Sequence, residues 1–161
     1  MDTAAFRAVL ELTPETLDRL ADALTAGLAG LDGVPHETGR VLVLGMGSSR
    51  YAAEVVARRC RAAGAAVAAE LASARVLPPP ADDLTVVAVS ATGGSAEVLR
   101  AIERYRGSGR LGAVTNQPGS ALADAADAVI PLLAGREASG VACRTFRAMF
   151  AVVDEVLAAL L

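Results

Sequence analysis

Residues 86–89 are four consecutive apolar residues, three of them valine, and they constrain the fold of this chain more than any other feature. An unbroken, mostly β-branched run is typical of a strand buried on both faces of a parallel sheet. The run ends in the turn Ser90-Ala91-Thr92-Gly93-Gly94-Ser95, after which residues 96–106 follow a helical period. A strand, a hydroxyl- and glycine-rich turn and a helix direct N–H and O–H groups at one point, which favours an anion, most often phosphate. The alternative is an ordinary strand–helix turn in which Ser95 caps the helix.

A second unit of the same kind lies earlier in the chain. Residues 41–44 form another apolar run, which ends in Gly45-Met46-Gly47-Ser48-Ser49-Arg50 and is followed by a helix to Arg61. Three further strands are predicted at residues 66–71, 111–115 and 128–133. Pro131 places the last of them at a sheet edge, because proline cannot donate to the ladder. The alternation of strands and helices predicts an α/β fold, a three-layer α/β/α sandwich around a five-stranded parallel sheet in the flavodoxin-like order 2-1-3-4-5.

Other segments flank this predicted sheet. Residues 1–40 are predicted to form a helical segment used for packing or dimerisation, with Thr13 as a helix cap, and residues 41–161 to form the α/β domain. His36 lies in a polar connector and is predicted to be a solvent-exposed residue. The predicted last helix, residues 141–161, ends in an apolar run, from which we expect either a continuation of the chain or a dimer face.

Composition excludes several classes of function. The net charge of −3 provides no basic stripe for nucleic acid or an anionic membrane. The chain has no apolar run of spanning length and no signal-peptide pattern, which predicts a soluble cytoplasmic protein. It contains no lysine, so it cannot form a lysine Schiff base or supply a Walker-type lysine. Cys60 and Cys143 lie far apart and are predicted to be buried free thiols, and no metal site or cofactor is predicted.

The two glycine- and hydroxyl-rich turns follow the first and third predicted strands. In the order 2-1-3-4-5 the sheet reverses direction between these strands, and ligands bind outside their carboxyl ends. We therefore expect the two turns to face one pocket. A dinucleotide is a competing interpretation, since the first turn is a partial GxGxxG and Glu70 could hold a ribose hydroxyl. Against it, Arg50 stands where the third glycine would permit close helix packing.

Four segments, in order, resemble the SIS (sugar isomerase) domain family of phosphosugar-binding proteins. Gly47-Ser48-Ser49 is similar to the family's Gly-Thr/Ser-Ser turn, and the turn at residues 90–95 to its Ser-Gln-Ser-Gly-Glu-Thr turn. Residues 116–122 are similar to Asn-x-Pro-x-Ser-x-Leu. Residues 134–146 resemble Ala-Gly-x-Glu-x-x-Val-Ala-Ser-Thr-Lys-x-Phe/Tyr with small shifts. The resemblance extends to the isomerase half of glucosamine-6-phosphate synthase and to double-SIS amino-sugar isomerases and deaminases.

The resemblance implies a hexose or amino-hexose phosphate as the ligand. The implied ligand-binding residues are Gly47, Ser48, Ser49, Ser90, Ala91, Thr92, Gly93, Ser95, Val141 and Cys143. Within this set Ser90, Thr92 and Ser95 would hold the phosphate, and Ser49 and the backbone near Val141 and Cys143 would line the sugar. Neutral donors at a helix terminus can hold a phosphate without a cationic surface, which suits an acidic protein.

Three residues depart from the family pattern. Ala91 replaces a glutamine, Gly94 a glutamate and Cys143 a serine, and these changes affect sugar selectivity more than phosphate binding. In the amino-sugar isomerases the acid/base glutamate, a ring-opening histidine and a terminal lysine belong to a second SIS domain and its tail.

An aldose–ketose isomerisation needs a base to move a proton between adjacent carbons. Glu137 is the predicted catalytic candidate in this chain, with Glu54 and Glu97 as alternatives. Three interpretations stay open: half of an isomerase or deaminase that pairs with a second SIS domain, a stand-alone isomerase that acts as a homodimer, and a non-catalytic sugar-phosphate sensor.

Overall fold

The computed structural model describes residues 3–35, 38–135, 137 and 141–161. The prediction for His36 lies outside the described residues. The helices are α1 (Thr3–Glu11), α2 (Thr13–Ala26), α3 (Gly47–Ala62), α4 (Ala96–Ile102), α5 (Ala121–Ala125) and α6 (Arg144–Leu160). The strands are β1 (Arg40–Gly45), β2 (Val67–Leu71), β3 (Leu84–Val89), β4 (Leu111–Thr115) and β5 (Ala128–Pro131). Short 3-10 turns cover Leu31–Gly33 and Glu103–Tyr105.

The five described strands form one parallel sheet in the order β2-β1-β3-β4-β5, which confirms the predicted topology. Every residue of β3 is buried, because β1 and β4 flank it and helices cover both of its faces. The carboxyl ends of the central strands are level with one another, since Gly45 of β1 is paired with Val89 of β3 and Val89 with Val114 of β4. Pro131 closes the edge strand β5, as predicted.

Alternate residues of β1–β4 face two separate cores. Val41 and Val43 pack into the core under α2, α3 and α6, whereas Leu42 and Leu44 pack into the core under α4 and α5. Small side chains let α3 approach the sheet closely, because its inner face consists mainly of fully buried alanines. The result is the predicted three-layer arrangement, with all strand ends that precede a helix at one edge of the sheet.

Helix α2 packs on the same face of the sheet as α6. Leu20 of α2 is buried in the core that also holds Val43, and Arg147 Nη1 of α6 donates to Thr13 Oγ1 of α2 at 3.3 Å. The prediction of Thr13 as a helix cap is wrong. Leu12 occupies that position in a helical conformation, and the Thr13 hydroxyl instead donates to the Val9 carbonyl at 3.4 Å. The chain passes from α1 to α2 across one residue, which leaves no extended cap residue.

Two predicted helices differ in length from those observed. The helix predicted at 96–106 ends at Ile102 and continues as a 3-10 turn, and the helix predicted at 141–161 begins at Arg144. The last strand ends at Pro131, two residues before its predicted end, and Leu133 has a positive φ of 54°. The last two differences lie at the two ends of the connection between β5 and α6.

Candidate functional site

The turn after β3 is an arch fixed by backbone hydrogen bonds. Ser90 is 6% exposed, and its N–H donates to the Val114 carbonyl of β4 at 3.0 Å. Gly93 has a φ of +62°, and a Cβ at this position would collide with the Oγ of Ser120, so only glycine fits the arch. Leu122 N–H donates to the Gly93 carbonyl at 3.0 Å, which ties the arch to α5. The turn is therefore held from β4 and α5 rather than from β1.

The hydroxyls of this turn lie in three different environments. The Ser90 side chain is buried, whereas Thr92 is exposed and its Oγ1 accepts from the N–H of Gly94 at 3.3 Å. Ser95 occupies the N-cap position of α4, but its hydroxyl does not cap the helix. It donates instead to Glu97 Oε2 at 3.0 Å. The alternative that Ser95 caps the helix is thus correct in position and wrong in its hydrogen bond.

The turn after β1 has a different form. Helix α3 begins at Gly47, so Gly47, Ser48 and Ser49 form its first turn and only Met46 separates it from the strand. A Cβ on Gly45 would lie 2.9 Å from the N of Arg50, which shows how closely the helix approaches the strand end. Ser48 is exposed and Ser49 is buried, 7% exposed.

The turn after β4 supports a neighbouring segment. Asn116 Nδ2 donates to the Gly135 carbonyl at 2.6 Å, and its Oδ1 accepts from Ala134 N–H at 3.1 Å. The N–H of Asn116 also donates to the Ala91 carbonyl at 3.1 Å. One amide side chain thus holds the start of the segment after β5 beside the arch.

Glu137 caps the long helix α6. Its Oε1 accepts from the N–H groups of Cys143 and Arg144, each at 2.7 Å, and its Oε2 from the N–H of Thr145 at 3.4 Å. These are the free N–H groups of the first helical turn, where the helix dipole favours a negative charge. The carboxylate proposed as a base is therefore engaged with the helix backbone.

A cavity of about 360 Å³ opens between the arch, the turn after β4 and the start of α6. It is lined by Ala91, Thr92, Asn116, Gln117, Glu137, Val141, Ala142 and Thr145. The structure thus brings four predicted site residues together here: Ala91, Thr92, Val141 and Glu137. The others, namely Gly47, Ser48, Ser49, Ser90, Gly93, Ser95 and Cys143, do not line this cavity.

Sequence reasoning assigned no role to four lining residues: Asn116, Gln117, Ala142 and Thr145. Asn116 and Gln117 follow β4, and the predicted strand order already placed β4 beside β3. That order was the signal by which they could have been found. Ala142 and Thr145 flank Cys143 within the fourth family-like segment.

Three charged side chains, those of Glu54, Arg50 and Arg144, have partners away from this cavity. Glu54 pairs with Arg61 at 3.0 Å and with Arg50 at 3.7 Å, and Arg50 also donates to the Ala69 carbonyl of β2. Arg144 is buried, and its Nη1 donates to Thr16 of α2 at 3.4 Å. Of the residues named as lining the cavity, Glu137 is the one that carries a formal charge.

A larger cavity, about 530 Å³, lies at the far end of α3 and α6. It is bounded in part by Cys60 and by the ion pair of Arg59 with Asp154, at 3.2 Å. Burial, with the nearby Asp154 charge, raises the pKa of the Cys60 thiol. Cys60 and Cys143 are free thiols as predicted, although both are half-buried rather than buried. Within the described ranges, no cluster of acidic, histidine and cysteine side chains is placed to hold a metal ion, and no helix is long and apolar enough to cross a membrane.

The strand order, the three layers and a cavity at the carboxyl ends of β3 and β4 define a ligand-binding α/β domain of the flavodoxin-like class. The model of the SIS domain matches residues 36–159, and the chain belongs to the SIS domain family. Over 122 residues it is 38% identical to glutamine–fructose-6-phosphate aminotransferase (isomerizing) of Aeropyrum pernix, covering 72% of this chain and 19% of that protein.

Two solved structures share the fold. The C-terminal domain of glucosamine-fructose-6-phosphate aminotransferase from Francisella tularensis matches with a TM-score of 0.78 and 15% identity, over 99% of this chain and 48% of that one. A protein of Escherichia coli CFT073 in complex with A5P matches with a TM-score of 0.73 and 18% identity, over 99% of this chain and 92% of that one. The chain thus spans about a fifth of the archaeal relative, half of the first structure and most of the second.

Proposed function

We propose that this chain binds a sugar phosphate in the cavity of about 360 Å³, with the phosphate on the arch at residues 90–95. The observation that carries the proposal is the position of Thr92, whose exposed hydroxyl lies in the lining of this cavity at the carboxyl edge of β3. Membership of the SIS family supports the ligand class, because the names of similar proteins refer to fructose 6-phosphate. The volume suits one sugar phosphate, since ligand sites begin at about 300 Å³.

The arch can bind a phosphate through neutral hydrogen-bond donors. The side chains at residues 90–95 carry three hydroxyls and no charge. A hydrogen bond from such a donor to an anion stabilises the complex by about 1.5–3 kcal/mol. Loss of one donor is thus expected to weaken binding by about tenfold or more.

Calorimetric titration with fructose 6-phosphate and glucosamine 6-phosphate tests the site. Thr92→Val removes the exposed Thr92 hydroxyl and keeps the shape of the side chain. Ser90→Ala removes the buried hydroxyl of Ser90. The matched control is Thr25→Val, an exposed threonine of α2 whose hydroxyl bonds only within its own helix. We expect binding of at least one sugar phosphate by the wild type and the control, and its loss in Thr92→Val. Equal affinity in all variants would refute this site.

We further propose that the bound sugar phosphate is isomerised between aldose and ketose forms, with Glu137 as the base. Glu137 lines the cavity, which supports the assignment. Its three hydrogen bonds from α6 favour instead a second candidate, a non-catalytic sensor in which Glu137 only caps the helix. NMR of sugar phosphates in D₂O separates the two, since an isomerase exchanges the C1 or C2 proton and a sensor does not. Glu137→Gln keeps a capping oxygen and removes the base, so it stops exchange only if Glu137 is catalytic.

We also propose that the chain acts beside a second SIS unit, in a homodimer or on a longer chain. An aromatic patch on α3 and α6 supports this proposal: Tyr51 is 61% exposed, and its ring centroid lies 6.2 Å from that of Phe146. Phe146 in turn packs edge-on against Phe150 at 4.9 Å. Sedimentation of wild type and Tyr51→Glu tests the homodimer, with Val76→Glu, an exposed apolar residue of the β2–β3 connection, as control. A dimer lost only in Tyr51→Glu supports it, and a dimer equally stable in all three would refute this surface.

A further inference from the structure

One hydrogen bond of the arch conflicts with the phosphate contact that the family resemblance implies for Ser95, a residue of the arch outside the lining of the cavity of about 360 Å³. The Ser95 hydroxyl donates to Oε2 of Glu97 at 3.0 Å. A serine hydroxyl has a single proton to donate. As long as Glu97 accepts that proton, Ser95 cannot donate it to a phosphate.

We infer that Glu97 sets the affinity of the sugar-phosphate site, because its carboxylate occupies the Ser95 hydroxyl and must release it before a phosphate can accept the proton. The inference rests on the proposed function and concerns a residue that does not itself touch the ligand. Glu97 thus acts as an internal anion that competes with the external one.

The carboxylate is charged under ordinary conditions. The backbone N–H of Glu97, the Ser95 hydroxyl and the nearby Arg100 hold the pKa of Glu97 below its usual range. A phosphate bound to the arch is therefore repelled by the negative charge of Glu97, which is two residues beyond Ser95 in the sequence. Residues 90–97 contain no cationic side chain, and Arg100 is the nearby cation that acts on Glu97.

A neighbouring cavity can receive the released carboxylate. This cavity, about 260 Å³, lies between α4 and the segment after β2, and Glu97 lines it together with Arg100, Arg104 and Ser73. Arg104 Nη1 donates to the Leu77 carbonyl at 3.3 Å, and within the described chain Arg100 forms no ion pair. Rotation of Glu97 toward these two guanidinium groups would free Ser95 and move the negative charge away from the arch.

Titration of fructose 6-phosphate into Glu97→Ala and Glu97→Gln tests the inference. We expect Glu97→Ala to bind about fivefold more tightly than wild type, the effect of removing a unit charge some ångströms from an anion at an exposed site. Glu97→Gln keeps a hydrogen-bond acceptor without the charge and should give part of that gain. The matched control is Glu103→Ala, an exposed glutamate just after α4 that pairs with Arg106 at 3.2 Å, which we expect to stay within about twofold of wild type.

A double-mutant cycle with Ser95→Ala identifies the shared hydroxyl. If Glu97 acts through Ser95, the gain from Glu97→Ala shrinks when Ser95 is already alanine. Affinity in both Glu97 variants that equals or falls below that of wild type, with circular dichroism showing them folded, would overturn the inference and leave the proposed function intact. Absence of binding in every variant and in wild type would overturn both, whereas binding gained only in the Glu97 variants supports both.

Discussion

The turns after β1 and β3 have similar sequences and lie at the same edge of the sheet, yet they have different structures. Only Met46 separates β1 from α3, so Gly47-Ser48-Ser49 is already helical. Six residues separate β3 from α4, and they arch toward β4, where the N–H of Asn116 reaches the Ala91 carbonyl at 3.1 Å. The length of the connection, rather than its glycine and hydroxyl content, thus decides which of the two turns borders the cavity.

The observed cavity also lies at a different place along the sheet from the pocket expected from the sequence. The expected pocket lay between the two turns, at the crevice of β1 and β3, whereas the cavity that holds Thr92 lies over β3 and β4. Asn116, which lines the cavity, also donates to the Gly135 carbonyl after β5, and Glu137, another lining residue, caps α6. No residue of the first turn is among those lining it.

The largest expected effect comes from glycine substitutions in the two turns. Gly93 and Gly47 both have a positive φ, of 62° and 50°. A Cβ on Gly93 would collide with Ser120, whereas one on Gly47 meets nothing within 4 Å. We expect Gly93→Ala to lower the free energy of unfolding by about 3 kcal/mol, and Gly47→Ala by about 1 kcal/mol, the cost of the left-handed backbone alone.

Urea unfolding of both variants, followed by circular dichroism, measures this difference. Titration with a sugar phosphate should also show loss of binding in Gly93→Ala and little change in Gly47→Ala. Equal destabilisation by the two substitutions would show that the arch has no tighter packing than the first turn, which would remove the physical basis of the comparison.

The next effect concerns Glu137, which lines the cavity beside the second turn and caps α6. Glu137→Ala leaves two short N–H contacts of α6 without their acceptor, and we expect a loss of about 2 kcal/mol in the free energy of unfolding. Glu137→Gln retains an acceptor oxygen and should lose less than half as much. The exposed Glu11→Ala, whose partner Arg7 is also exposed, serves as control and should change stability by less than about 0.5 kcal/mol. A stability of Glu137→Ala equal to wild type would contradict the capping role.

The sequence predicted the sheet better than it predicted the site. Residues 86–89 and 41–44 have to be buried on both faces, so their hydrophobicity reveals their place in the middle of a parallel sheet. Strand order followed from the alternation of strands and helices, which is typical of a flavodoxin-like sheet. These are properties of single segments, and they are visible without knowing what packs on them.

The contacts of Glu137 and Asn116 beside the cavity were not predictable in the same way. Glu137 acts on N–H groups six to eight residues ahead, and Asn116 acts on a carbonyl nineteen residues ahead. Neither contact leaves a periodic pattern, because each joins a side chain to the backbone of another part of the chain. The first turn was misplaced for a related reason: serines suit a helix start as well as a loop, so composition alone could not separate the two.

A smaller effect on binding separates the two buried serines at the strand ends. Ser49 is 7% exposed in α3, and Ser90 is 6% exposed at the base of the arch. Neither serine lines the cavity, but Ser90 begins the arch that carries Ala91 and Thr92, whereas Ser49 lies in the first turn of α3. We therefore expect Ser49→Ala to weaken sugar-phosphate binding by no more than about threefold, less than Ser90→Ala. Parallel calorimetric titrations measure both. A loss in Ser49→Ala as large as that in Thr92→Val would show that both turns hold the ligand, as the family resemblance implies.

The smallest effect is expected from an ion pair at the opposite ends of β1 and β3. Its removal should leave ligand binding unchanged, so it serves as a reference. Arg40, at the start of β1, donates through Nη2 to Asp83 Oδ1 at 2.7 Å, just before β3 begins. Hydrogen bonding to Arg40 holds the pKa of Asp83 below its usual value of 3.8. A lowered folded-state pKa means that the pair stabilises the fold above the usual pKa and that this contribution is lost as the pH falls through the lowered value.

Melting temperatures of wild type and Asp83→Asn should therefore differ by a constant, small amount from pH 7 down to about pH 5 and converge below about pH 4. A gap that persists at low pH would mean that Asp83 stabilises the fold through its shape rather than its charge. A change in sugar-phosphate affinity would mean that the two edges of the sheet are coupled.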